Sequence, residues 1–282
     1  MDPSGAYVLT VGAFASSIAA MSSPFAKVEL CGMPLASIDS HQLIDHLFES
    51  LAAGRGGWLV TANLDFLRRH VKDPAARDIY AGADLRVADG MPLVWASRLR
   101  GTPLPERVAG SSLVAPLCAR AAREGRRVYL LGGDPTASQV AAAKLAADYP
   151  GLPLAGVSSP WVSADPSEAE VAEIASALDT ARPDVVLVAF GSPKQERVIQ
   201  KLRERFPGVW WIGIGISLSF IAGHVRRAPP IVQTLGLEWV HRLVQEPRRL
   251  FRRYVIEDLP FAVELFGRAA LDRVNGAGRR DE

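Results

Sequence analysis

From Val28 onward the chain alternates short, nearly continuous apolar runs with longer stretches whose apolar residues recur at i, i+3 and i+4. Runs of the first kind suit parallel strands buried on both faces, and stretches of the second kind suit helices with one buried face. The expected strands are Trp58–Asn63, Leu85–Ala88, Val128–Leu131, Val185–Phe190 and Val209–Ile214. The expected helices are Ser40–Ala53, Ser111–Glu124, Ala137–Asp148, Ser167–Ala181 and Lys194–Phe206. Three of them announce their starts with Asp39-Ser40, with Ser111-Ser112, and with Ser167 followed by Glu168 and Glu170. Spacers this long permit the crossovers that parallel pairing requires. The pattern predicts an α/β fold over residues 28–225, a Rossmann-like parallel sheet with helices on both faces.

Near Arg226 the composition shifts, with no Lys beyond it and Arg dominant, so residues 226–282 are expected to form an Arg-rich helical appendage. Between Arg226 and Arg253, seven Arg against Glu238 and Glu246 give +5, while the rest of the chain carries −3. In a helix starting near Pro247, Leu250, Phe251, Tyr254 and Val255 would share one face, with Arg248, Arg249, Arg252 and Arg253 opposite. Such a helix can lie on an anionic membrane surface, or pack on the core with a solvated basic face. At the other end, Pro3 to Ala26 carries no charge but is rich in Ser, Thr, Gly and Pro, and short of Leu, Ile and Phe. Residues 1–27 therefore read as a disordered extension rather than a signal or a span.

Composition narrows the classes. With 282 residues, 49% hydrophobic, and a formal charge of +2, the chain is globular and has no nucleic-acid partner in prospect. Cys31 and Cys118 form no CxxC pair, and the five His include no HxH or HxxxH pair. No metal, cofactor or disulfide framework is expected, and a reducing cytosol fits best.

In an open parallel sheet, ligands bind just past the carboxyl ends of the strands. Thr61 and Asn63 share a side of their strand by its two-residue alternation, and Asp65 beyond them could cap the next helix. Asp89, before Gly90, could accept a proton from a bound hydroxyl, or serve as a helix cap or turn residue. Gly132 and Gly133 could admit a phosphate to backbone N–H groups, or merely close a tight turn. In Gly191-Ser-Pro-Lys-Gln195-Glu196, Gln195 and Glu196 offer an amide and a carboxylate beside the positive end of a helix. Gly213 and Gly215 form a weaker pair of the same kind.

Several blocks, in order, carry a family resemblance: Thr61-Ala-Asn63, Ala88-Asp89-Gly90, Glu106-Arg107-Val-Ala-Gly110, Leu130-Leu-Gly-Gly133, Gly191 to Glu196, and Arg227-Ala-Pro229. Gly236-Leu-Glu-Trp239, Glu246-Pro247-Arg248 and Arg253-Tyr254 follow. Over roughly Val28 to Phe266 the chain resembles the WecG/TagA/CpsF family of bacterial glycosyltransferases. The resemblance implies an inverting, metal-independent transfer of a sugar, an N-acetylmannosamine type or related hexose. The implied donor is a UDP-sugar, and the implied acceptor is a saccharide on undecaprenyl diphosphate, a polyprenyl diphosphate, in cell-surface polysaccharide synthesis. It implies Asp89 as catalytic base, Thr61, Asn63 and Gln195 as pocket residues, and Arg107 facing the diphosphate or acceptor.

Without a metal, the leaving diphosphate would rely on the Gly132-Gly133 amides and on arginines, with Arg226, Arg227 and Arg242 as further candidates. One departure is visible: Ser219 stands where many members carry an acid, which bears on the donor sugar. The expected location is cytoplasmic, peripheral on the inner face of the plasma membrane. An exposed apolar appendage also leaves a homo-oligomer open. The alternative is a non-catalytic regulator that binds a UDP-sugar; an NAD-linked oxidoreductase would need a GxGxxG fingerprint that is not present.

Overall fold

The computed structural model describes residues 24–276. The extension expected over residues 1–27 lies outside the described residues except for its last four, and Lys27 already begins a strand. In chain order the elements are a hairpin of β1 (Lys27–Leu30) and β2 (Met33–Ala36), α1 (Ser40–Ala52), β3 (Gly57–Ala62), α2 (Leu64–Lys72), α3 (Pro74–Ala81), β4 (Leu85–Ala88), α4 (Met91–Arg100) and α5 (Gly110–Glu124). Then come β5 (Val128–Gly132), α6 (Pro135–Asp148), β6 (Leu154–Ser158), α7 (Glu168–Ala181), β7 (Val185–Ala189), α8 (Lys194–Leu202), β8 (Trp210–Gly213) and α9 (Ser217–Ala222). The C-terminal part holds α10 (Pro230–Thr234), α11 (Glu238–Gln245), α12 (Pro247–Phe251), a π-helical segment (Arg252–Asp258) and α13 (Leu259–Val274).

Six strands form one parallel sheet in the order β4-β3-β8-β7-β5-β6. The five apolar runs are five of these strands. The sixth, β6, is half-buried Leu-Ala-Gly-Val-Ser at the sheet edge, where small residues leave no apolar run to read. The hairpin also escaped the pattern, because each of its strands has only four residues. Its turn places Cys31 and Gly32 at positive φ, 49° and 83°, as a two-residue hairpin connection requires.

Helices α2, α3 and α4 are not among the expected ranges, although a helix is open after Asp65 and another after Asp89, and the start signals of α2 and α3 are present. Asn63 caps α2 by accepting from Phe66 N, and Asp73 caps α3 with Pro74 at its first position. Helix α8 ends at Leu202, short of the predicted Phe206, and the Phe206 ring instead packs 6.1 Å from that of Trp211.

Two apolar clusters mark the two faces. One gathers α2, α3, α4, α7, α8 and α13 through Phe66, Tyr80, Leu93, Ile174, Val198 and Leu265. The other gathers α1, α5, α6 and α9 through Leu47, Leu117, Ala141 and Leu218. The chain leaves β3 and β7 toward the first face, but leaves β8, between them, toward the second. Diverging connections from neighbouring strands open a crevice at their carboxyl ends.

The helix predicted from Pro247 is broken into α12, the π segment and α13, and its two faces differ from the simple projection. Leu250 is buried, Tyr254 and Val255 are half-buried, and Phe251 is exposed. Arg248, Arg249 and Arg252 face solvent, but Arg253 turns inward to pair with Asp65. A π segment closes i→i+5 rather than i→i+4, which rotates the residues after it relative to a regular helix. Helix α13 then returns to the core, where Phe261, Leu265 and Ala269 join the cluster that contains Trp58 and Ala88. Among the described residues no helix is long and apolar enough to cross a membrane.

Candidate active site

The crevice is a cleft of about 570 Å³, with its floor at the carboxyl ends of β3, β4, β7 and β8 and one wall made by the C-terminal segment. Of the sequence-derived candidates, Thr61, Asn63, Asp89, Arg107, Gly191, Gln195, Gly213, Gly215 and Arg242 line it. Gly132, Gly133, Glu196, Arg226 and Arg227 do not.

The floor is tightly packed. Buried Thr61 donates from Oγ1 to Gly213 O over 3.5 Å. Gly110 sits against both: a Cβ there would lie 3.1 Å from Thr61 Oγ1 and from Gly213 O. At Gly213 a Cβ would lie 2.5 Å from Gln195 Nε2. Asn63 does not continue the strand beside Thr61, since β3 ends at Ala62 and Asn63 turns to cap α2. The capping role open to Asp65 thus belongs to Asn63.

Asp89 follows β4 and extends its pairing with β3, its N–H donating to Ala62 O over 2.7 Å. It does not cap α4, whose N-cap is Gly90. Its Oδ2 instead accepts from Gly110 N, 3.3 Å away at the start of α5. Burial pushes the Asp89 carboxyl up to about 7. The Arg107 guanidinium, the Gly110 N–H and Arg227 pull it down, while Glu238 adds to the rise. A carboxyl near neutrality suits a general base.

Arg107 donates from Nη1 to Glu238 Oε2 over 2.9 Å, so a residue of α11 reaches across the cleft to the core. Arg227 donates to Ser112 Oγ over 2.7 Å and stands 3.7 Å from the same Glu238. Arg242 lines the cleft with its Nε buried and without a hydrogen-bond partner. Arg226 is exposed, and its carbonyl accepts from Gln245 Nε2.

Gln195 is held at both ends of its amide. Its Nε2 donates to Glu196 Oε1 over 2.7 Å, and its Oε1 accepts from Gly215 N over 3.3 Å. Glu196 is buried behind it, which pushes its carboxyl above the usual range. Glu196 therefore orients Gln195 rather than lining the cleft.

Gly132 and Gly133 turn with φ of 92° and 82°. A Cβ on Gly132 would come within 2.8 Å of the Phe190 ring, and one on Gly133 within 2.7 Å of Ser138 Oγ. Gly132 O accepts from Ser138 Oγ and Ser159 Oγ. The pair serves a close-packed βα turn, with Phe190 rather than either glycine at the cleft wall.

A second set of groups meets here, and the sequence pattern marks only part of it. Asp65, 1% exposed, pairs with Arg68, Arg69 and Arg253, and Asp258 lies beside it. Burial, then the Asp65 carboxylate, pushes the Asp258 carboxyl up to about 6, against Arg68 and Arg253. Trp95 and Trp239 add aromatic walls at the mouth. Glu238 and Trp239 fall in one of the blocks quoted above, which was the available signal.

Two comparisons bear on this geometry. A family model described as "Glycosyl transferase WecG/TagA/CpsF family" matches residues 28–275. A protein of Bacillus spizizenii (strain ATCC 23059 / NRRL B-14472 / W23), named N-acetylglucosaminyldiphosphoundecaprenol N-acetyl-beta-D-mannosaminyltransferase, is 30% identical over 247 residues. The match covers 88% of this chain and 92% of that protein.

Proposed function

The chain belongs to the WecG/TagA/CpsF glycosyltransferase family, and from that premise we propose that it moves a hexose, of the N-acetylmannosamine type or a relative, from a UDP-sugar to a saccharide on a polyprenyl diphosphate. The observation that carries the reading is Asp89, a carboxyl raised to about 7 on the floor of the cleft beside Arg107.

The chemistry is a single displacement with inversion. The acceptor hydroxyl oxygen bonds to the anomeric carbon while the bond from that carbon to the diphosphate oxygen breaks, and its electron pair leaves with UDP. The hydroxyl proton goes to the Asp89 carboxylate. Positive charge for the leaving diphosphate comes from Arg107 and Arg242 at the cleft, with Arg227 behind Glu238. The Gln195 amide, fixed by Glu196, gives the sugar a preorganised polar contact.

The lipid-linked acceptor fits the surface around the mouth. Along the segment after Arg226, part of which walls the cleft, Ile231, Leu235, Val244, Phe251 and Ile256 are exposed, together with Arg248, Arg249 and Arg252. Apolar side chains interleaved with arginine suit the headgroup region of an anionic bilayer, which supports the reading of a peripheral enzyme on the cytoplasmic face.

The test is a mass-spectrometric transfer assay with a panel of UDP-sugars, a short-chain polyprenyl-diphosphate-GlcNAc acceptor, and EDTA throughout. A product made by the wild type and not by Asp89→Asn supports the reading, and the productive donor names the sugar. Tight UDP-sugar binding with no product from any donor would favour a regulator.

A further inference from the structure

Among the ties between the C-terminal segment and the core, one runs through a buried carboxylate. Asp65, in the first turn of α2, is 1% exposed, yet it lines the cleft. Its Oδ1 accepts from Arg68 Nη2 over 2.5 Å, and its Oδ2 pairs with Arg69 Nη2 at 2.8 Å and with Arg253 Nη2 at 2.9 Å. Arg68 forks outward to Glu257 and Asp258, both at 2.9 Å. Arg69 turns the other way and donates to Ser192 Oγ over 3.2 Å, beside Gly191 on the loop that leads into α8.

The π segment explains how the strap can answer in kind. Closing i→i+5 brings Arg253 and Asp258 over one another, so one face of the segment meets α2 with a cation and an anion at once. A carboxylate this buried is stable only while its cations stay in place, and they come from both sides of the joint.

We propose that Asp65 is a positioning residue that latches the segment Arg252–Asp258 onto α2, so that the wall of the cleft carrying Arg253 and Tyr254 stands in place for the lipid-linked acceptor. This rests on the transferase reading above. The acceptor is the substrate concerned, because that wall continues into exposed Phe251 and Ile256.

The experiment uses the full chain with Asp65→Asn, Arg253→Gln and the double variant. Hydrogen–deuterium exchange of peptides covering Arg252–Asp258 should quicken in either single variant, with β5 and β7 unchanged. Acceptor kcat/KM should fall about tenfold to a hundredfold, through KM, with UDP-sugar affinity kept. The double variant should lose no more than the worse single one.

Unchanged exchange in the strap, or losses that add in the double variant, would overturn the latch. Faster exchange spreading to β5 and β7 would also overturn it, as a general loss of stability. Should Asp65→Asn fail to fold, Arg253→Gln reads the same joint. Exchange registers the latch even where no donor is turned over, so failure of the transferase reading is seen separately.

Discussion

The two sides of the cleft are built by different physics. The strand-end side is fixed by covalent proximity to a buried sheet: Thr61 and Gly213 sit at the ends of β3 and β8, and Asp89 follows β4, so backbone hydrogen bonds set their positions and few ionic contacts are needed. The C-terminal side is fixed by side chains. Glu238 reaches Arg107, Arg253 reaches Asp65, and Lys72 reaches Glu264, each pairing the core with the segment after Arg226. A sheet edge cannot move without unfolding, whereas the wall depends on individual ion pairs, of which the exposed Lys72–Glu264 pair is worth little and the buried Asp65–Arg253 pair far more. Chemistry placed on the first and access placed on the second gives an enzyme a rigid base and an adjustable entrance.

The sharpest way to test that division is at the rigid side. Asp89→Asn should lower single-turnover transfer about 100- to 10,000-fold, with UDP-sugar affinity within a few-fold by calorimetry. In the wild type, kcat/KM should rise with pH through about 7, because the base must be ionised. Folding raises this carboxyl well above its unfolded value, so the folded state binds the extra proton and stability falls as pH rises through that window. Asp89→Asn should therefore melt higher than wild type at pH 8 and equally at pH 4. Equal melting at both would show that the carboxylate carries no burial cost.

The division would break if the C-terminal region were independent of the core. Leu265→Ala, at a 1% exposed position of α13 in the same cluster as Trp58, should cost about 2–5 kcal/mol in a single cooperative denaturant transition. A separate early transition would mean that α13 is a detachable module. At the entrance, replacing Arg248 and Arg252, which are exposed and outside the cleft lining, together by Gln should weaken binding to anionic vesicles by about 1 kcal/mol per arginine. Turnover of a soluble acceptor should be unaffected. The smallest effect is electrostatic: Glu238→Gln removes a charge that raises the Asp89 carboxyl, so the acid limb of the kcat/KM profile should move to lower pH. A shift to higher pH would assign Glu238 a different role.

The same division decides what could be read from the sequence. Parallel strands buried on both faces leave continuous apolar runs, so Val185–Ala189 and its neighbours announced the sheet, and the sheet's ends announced Thr61, Asp89, Gln195 and Gly213. Edge strand β6 did not, because its Ala, Gly and Ser residues resemble a loop. Helix α2 did not, because most of its nine residues are polar, and its buried Asp65 is paired with arginines rather than packed among apolar groups.

Arg107 and Glu238 lie 131 positions apart, and no local spacing records such a pairing. The composition shift at Arg226 is real in the sequence, but packing crosses it through α13. The turn at Gly132-Gly133 shows the converse risk. Glycines past a strand suggest a phosphate site, when a neighbouring ring and hydroxyl can require them just as well.

The crowding around Gly110 and Gly213 has a practical meaning for anyone who would retune this enzyme toward another sugar. A randomised library would gain little at those two codons, since a Cβ on Gly213 would lie 2.5 Å from the Gln195 amide and one on Gly110 would press on Thr61 and a carbonyl at 3.1 Å. Gly191 and Gly215 have open space, but positive φ makes any other residue strained there. Diversity is better invested at Phe190, Ser192 and Phe220, which border the same cavity on side chains that can be exchanged without rebuilding the backbone beneath.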